Sequence, residues 1–137
     1  MMQSAIPLRP MLQHDAASEW LGMRLVADEP GRAVVELAVR AEHLNGHGIT
    51  HGGIVFALAD TAFAIACNED EFVTVAAGAD VTFLRSTSLG DVLTATAVRR
   101  IRSGRTGLYD VTVTDAAGEV VAEFRGRSFR TARTLDS

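Results

Sequence analysis

Only one cysteine, Cys67, occurs in the 137 residues, so no intramolecular disulfide can form. That usage fits a reducing cytoplasm. Basic charge is also in deficit. Thirteen Lys+Arg face 17 Asp+Glu, a net charge of −4, which gives nucleic-acid binding no electrostatic support. No apolar run reaches the ~20 residues of a membrane span. The apolar run Ile54–Cys67 is shorter and is broken by Asp60 and Thr61. The opening MMQSAIPLRPM lacks the continuous apolar stretch of a signal peptide. Internal repeats, low-complexity tracts and linkers are missing too. What is present is 47% hydrophobic and 22% charged, a globular composition, and the length fits one domain over 1–137.

Along the chain, 8–21 reads as a short leader helix ended by Gly22. Met23–Ala27 and Arg32–Arg40 alternate as strands around the turn Asp28–Gly31. A glycine-rich loop follows, and then a long apolar helix from about Gly53 to Asn68. Four strand candidates come next in a meander: Val73–Arg85, Asp91–Ile101, Gly107–Thr114 and Glu119–Arg130. Residues 131–137 read as a frayed tail. An antiparallel sheet with one buried face needs an apolar cover. The central helix is the one element that can supply it. The expected class is α+β, a sheet wrapped around one long helix, the hotdog architecture.

Asp60 is the anomaly in that helix. A buried carboxylate costs several kcal/mol unless paired, hydrogen-bonded or protonated. Upstream, His51-Gly52-Gly53 brings backbone N–H groups to the helix start. An N–H there, aided by the helix dipole, suits a developing oxyanion, and glycine lets a bulky ester approach. Gly53 and Asp60 share a helix face but lie about 10 Å apart along the axis. Two antiparallel helices about a two-fold axis would bring Asp60 of one chain to Gly53 of the other, making two equal sites.

Asn45-Gly46-His47-Gly48, His51-Gly52-Gly53 and Leu58-Ala59-Asp60-Thr61-Ala62 together resemble the hotdog-fold acyl-CoA thioesterases, nearest the phenylacetyl-CoA (PaaI-type) subgroup. The likeness extends to Asp15–Met23, Phe83-Leu84-Arg85 and Gly90-Asp91-Val92. It implies thioester hydrolysis at a dimer interface, with homotetramers common. By resemblance, the Gly53 N–H polarises the carbonyl, the partner chain's Asp60 is base or nucleophile, Asn45 positions substrate or water, and His51 and Gly52 shape the loop. Ser86-Thr87-Ser88 departs from the proline or glycine expected of relatives, which bears on the CoA groove. The implied substrate is an aryl-acetyl or other small to medium acyl-CoA. No separate cofactor is required, because CoA belongs to the substrate.

Other residues have competing readings. Thr61 is expected to bond a helix carbonyl three or four residues back, or else to hold water or substrate. His51 is a candidate general base, though bracing the loop is the simpler role. His43, His47 and His51 recur every fourth residue, but the intervening glycines argue against a helical metal face. Phe56, Leu58 and Phe63 are candidates for the acyl pocket, and Trp20 for a lid. Arg102 and Arg105, with Arg99, Arg100, Arg125 and Arg127, form a basic group suited to CoA phosphates. The alternatives are a hotdog hydratase or dehydratase, which needs a His–acid pair, and a non-catalytic acyl-CoA-binding protein.

Overall fold

The computed structural model describes residues 1–135. Seven strands form one sheet: β1 Gln3–Ser4, β2 Arg24–Glu29, β3 Arg32–Ala38, β4 Phe72–Phe83, β5 Val92–Ser103, β6 Thr106–Thr114 and β7 Val120–Thr134. Helix α1 spans Ala16–Leu21 and helix α2 spans Gly52–Cys67. The order across the sheet is β1-β2-β3-β5-β6-β7-β4. All pairings are antiparallel except the two-residue β1, which lies parallel to β2.

This order corrects the expected four-strand meander. Only β5, β6 and β7 run as one. β4 leaves the end of α2, crosses to the far side and pairs with β7 as an edge strand. The leader differs as well. Pro10–Leu12 is a 3-10 turn, and α1 starts only after Asp15, whose side chain accepts the Ser18 N–H. An N-cap acceptor of this kind fixes where a helix begins. Gly22 ends α1 in the left-handed region (φ 84°). The tail is not frayed at Thr131: β7 continues to Thr134, and Leu135 N–H bonds Glu71 O at 2.6 Å. Asp136 and Ser137, the rest of that tail, lie outside the described residues.

The inner face of the sheet carries Leu25, Val35, Leu37, Leu93, Ala95, Ala97, Tyr109, Val111, Val113 and Phe124 against α2. Ala59, Ala62 and Ala66 on α2 let the helix approach the strands closely, while Leu58, Phe63 and Ile65 fill the space between. The sheet covers only one side of α2. Gly53 and Phe56 stay exposed and Ala57, Asp60, Thr61 and Ala64 half-buried, in one i, i+3, i+4, i+7 stripe. The helix is therefore not enclosed all round by its own chain.

Both ends of α2 are tied. His51 caps the start. At the other end Arg9 donates to Asn68 O at 2.8 Å and Ile65 O at 3.0 Å while pairing with Asp28 at 2.6 Å. A cation on the last carbonyls complements the helix dipole.

Candidate active site

Two grooves of about 300 Å³ each flank the open side of α2. The first is lined by Asn45, Gly52, Val55, Phe83, Arg85 and Thr87 among others. The second holds Asp60 and Thr61, facing Asp15, Ser18 and Leu21 of the leader. Within one chain, then, the loop and the carboxylate open into different grooves.

The loop is built by short-range hydrogen bonds. Asn45 Oδ1 accepts the His47 N–H at 2.9 Å and the Ile49 N–H at 3.4 Å. Its Nδ2 has no partner among the described residues and is free to donate. Thr50 and Thr87 bond through their hydroxyls at 2.8 Å and through Thr50 N–H to Thr87 O at 2.8 Å. This pair anchors the loop to the segment after β4. The serine–threonine stretch that departs from the expected pattern therefore has a structural task. His51 Nδ1 accepts the Gly53 N–H at 2.8 Å. The Gly53 donor is thus already occupied in this structure, by its own N-cap. Gly52 has the ring of Phe83 against it: a Cβ there would sit 3.3 Å from that ring.

Asp60 has neither a hydrogen bond nor an ion pair among the described residues. Burial pushes its carboxyl above the ordinary aspartate range. Thr61 does not bond a carbonyl of its own helix. Its hydroxyl lies 3.4 Å from Ser18 Oγ, which in turn donates to Asp15 Oδ2 at 2.7 Å. Asp15 and Ser18 line this groove and were not singled out by the sequence reading; their three-residue spacing, that of an N-cap and its N3 partner, is the signal it offers.

Other expected positions fall elsewhere. Phe63 is fully buried, with Gly126 beneath it and its ring 5.6 Å from Tyr109 and 5.8 Å from Phe124. Leu58 is fully buried too. Both are core residues that line neither groove. Phe56 is exposed, and Trp20, at 76% exposure, covers nothing in its own chain. His43 is buried, its Nδ1 accepting Arg40 N–H at 3.1 Å and its Nε2 2.8 Å from Leu21 O. Its ring is thus used up within the leader and loop, and its carbonyl accepts the His51 N–H at 2.8 Å.

The basic group is largely neutralised within the chain. Arg102 donates to Asp70 at 2.7 Å, Arg99 pairs with Glu69, Arg125 with Asp110 at 2.7 Å and Arg127 with Asp80 at 2.8 Å. Arg105 has no ion pair among the described residues. None of these lines either groove. Arg85 does, and among the described residues its ion pairs are long ones, 3.8 Å to Asp115 and 3.7 Å to Glu119. Cys67 is buried, and burial pushes its thiol up to about 12.

An antiparallel sheet packed on one long helix, with a glycine-led helix start and a half-buried acid along the same face, defines a hotdog enzyme. Residues 47–122 match the thioesterase superfamily, and the chain belongs to that family. It is 43% identical to the acyl-coenzyme A thioesterase PaaI of Escherichia coli, over 91% of this chain and 89% of that protein. The structure of the E. coli PaaI protein superposes with a TM-score of 0.89, covering 92% of this chain and 91% of that one. A Streptococcus mutans protein solved with bound acetyl CoA is 28% identical, with a TM-score of 0.78 over 82% of this chain and 91% of its own.

Proposed function

We propose that this protein hydrolyses acyl-CoA thioesters, releasing the free acid and CoA, at two equivalent sites formed between two copies of the chain. The observation that carries the reading is Asp60. It is an acid with no partner among the described residues, on the same open stripe of α2 as Gly53, in a chain 43% identical to an acyl-CoA thioesterase.

Packing two α2 stripes antiparallel covers Phe56 and Ala57 and brings each Asp60 to the other chain's Gly53. β4, an edge strand, offers unpaired backbone groups for the same association. The substrate carbonyl takes the Gly53 N–H in place of the His51 ring, and the helix dipole supports the negative charge that develops there. The free Nδ2 of Asn45 orients the substrate from the first groove. Arg85 stands at that groove with its guanidinium loosely held, and is better placed for a CoA phosphate than Arg102 or Arg105. Phe83, Leu84 and Val55 supply apolar wall for an aryl-acetyl group such as phenylacetyl, or for a small to medium acyl chain. The working assembly is a dimer or a tetramer of two dimers, in the cytoplasm, with no cofactor beyond the CoA of the substrate. Among the described residues, no helix is long and apolar enough to cross a membrane.

The test is steady-state hydrolysis of an aryl and aliphatic acyl-CoA panel, following release of the CoA thiol, by wild type and Asp60→Asn. Turnover of at least one thioester, lost in Asp60→Asn at unchanged fold, supports the reading. Binding of CoA without turnover of any thioester defeats it.

A further inference from the structure

The chain Asp15–Ser18–Thr61 ends in the Asp60 groove, and the direction of its protons follows from its first member. The Asp15 carboxylate only accepts. It takes the Ser18 N–H on Oδ1 at 3.1 Å and the Ser18 hydroxyl on Oδ2 at 2.7 Å. Ser18 is buried, and its single hydroxyl proton is used by that bond. At the 3.4 Å contact the proton must therefore come from Thr61. No other hydrogen bond involves the Thr61 hydroxyl among the described residues. Its oxygen presents only lone pairs to the groove, one residue from Asp60.

We infer that Asp15 and Ser18 are positioning residues that lock the Thr61 hydroxyl as an acceptor, and that Thr61 holds the attacking water beside Asp60. This rests on the hydrolytic reading above and selects general-base over nucleophilic use of Asp60. The water donates one hydrogen to Thr61 Oγ1 and the other to the Asp60 carboxylate. As its oxygen bonds to the thioester carbon, Asp60 takes the second proton. The C–S bond then breaks, and Asp60 returns that proton to the CoA sulfur. The hydrogen held by Thr61 stays on the new carboxylic acid. The N-cap of α1 uses Asp15 and the Ser18 N–H; it makes no use of the Ser18 hydroxyl, whose place an apolar side chain would fill equally well in a purely structural leader.

Asp15→Asn separates polarity from structure. Asparagine caps a helix as well as aspartate. Its amide donates to Ser18 Oγ, however, so Ser18 donates to Thr61 and the Thr61 proton turns into the groove. The experiment measures kcat, KM and Tm for wild type, Asp60→Asn, Asp15→Asn, Thr61→Val, Thr61→Ser and the Asp15→Asn/Thr61→Val pair. The expected result is a kcat lower by about five- to tenfold in Asp15→Asn and in Thr61→Val, the effect of one neutral hydrogen bond. KM and Tm hold for Asp15→Asn, the pair falls no further than Thr61→Val alone, and Thr61→Ser retains activity. Unchanged kcat in Asp15→Asn and Thr61→Val, with Asp60→Asn inactive, overturns the relay and leaves thioester hydrolysis standing. Additive losses in the pair overturn it as well, because two independent effects are not one chain. Wild type inactive on every thioester removes the hydrolytic reading and the relay with it. Should Thr61→Val fail to fold, Asp15→Asn decides alone.

Discussion

The Nδ1 of His51 accepts the N–H of Gly53 at 2.8 Å, so the residue that shapes the helix start also occupies the donor an oxyanion would need. Substrate and imidazole compete for one proton. His51→Ala should lose a helix cap, worth about 0.5–2 kcal/mol, and show it as a lower Tm. It should keep kcat, with KM unchanged or reduced, because Gly53 is freed. Thermal melts and steady-state kinetics on the same preparation check both halves. A drop in kcat of about 10² or more would assign proton transfer to the ring itself.

Asp60 has the opposite economy. Its folded-state pKa is raised by burial, so the native chain binds that proton more tightly than the unfolded chain does. Stability from this group is complete below the ordinary aspartate pKa and is lost as pH rises through the raised folded value. Asp60→Asn should therefore raise Tm at neutral pH, and the gain should vanish in acid below the ordinary carboxylate range. Activity should move the other way. A loss in kcat of about 10²–10⁴ is the usual measure of a missing general base. In wild type, activity should fall on the acid side at a pH above that of an unperturbed aspartate. A Tm gap between the two proteins that stays constant from neutral pH into acid would contradict the raised pKa.

These residues were legible because their signals are local. A fourteen-residue apolar run with one acid announces α2 and Asp60, and glycines beside a histidine announce the helix start. Strand alternation likewise located β2 to β7 to within a few residues, whereas the two-residue β1 has too short a pattern to read. The far-edge position of β4 was not legible, because strand order depends on pairings with β7 about fifty residues away. Nor was the neutralisation of the arginines. Arg102 meets Asp70 and Glu69 across about thirty residues of sequence, and the bulge at 99–101 in β5 leaves no plain sequence mark. Periodicity on α2 could not separate Phe63 from Phe56 either. In an all-apolar helix every face resembles a core, and only the sheet decides which one is.

Phe63 illustrates the consequence. A Cβ on Gly126 would lie 2.6 Å from its ring, so the glycine exists to seat that side chain. Gly126→Ala should overpack the core and cost about 1–3 kcal/mol. Phe63→Ala should cost about 3–5 kcal/mol through the cavity it leaves. Chemical denaturation measures both. If Phe63 variants instead change acyl preference at full stability, the pocket reaches deeper than the two grooves indicate.

The separation of Asn45 and Gly52 from Asp60 into different grooves makes a stronger claim than any single substitution can test. If one site takes its donor from one chain and its acid from the other, two differently disabled chains should complement. Asp60→Asn removes the acid. Gly53→Pro removes the N–H in the first helical turn, where proline is tolerated. In an equal mixture of the two, heterodimers carry one site with both defects and one with neither. Random pairing then restores about a quarter of wild-type site density from two inactive proteins, by the symmetry of an isologous interface. Co-expression with different affinity tags, isolation of the mixed species and assay of its thioester turnover read this directly. A mixed species as inactive as its parents would place donor and acid in one chain, and α2 would then have to bend or open to bring them together.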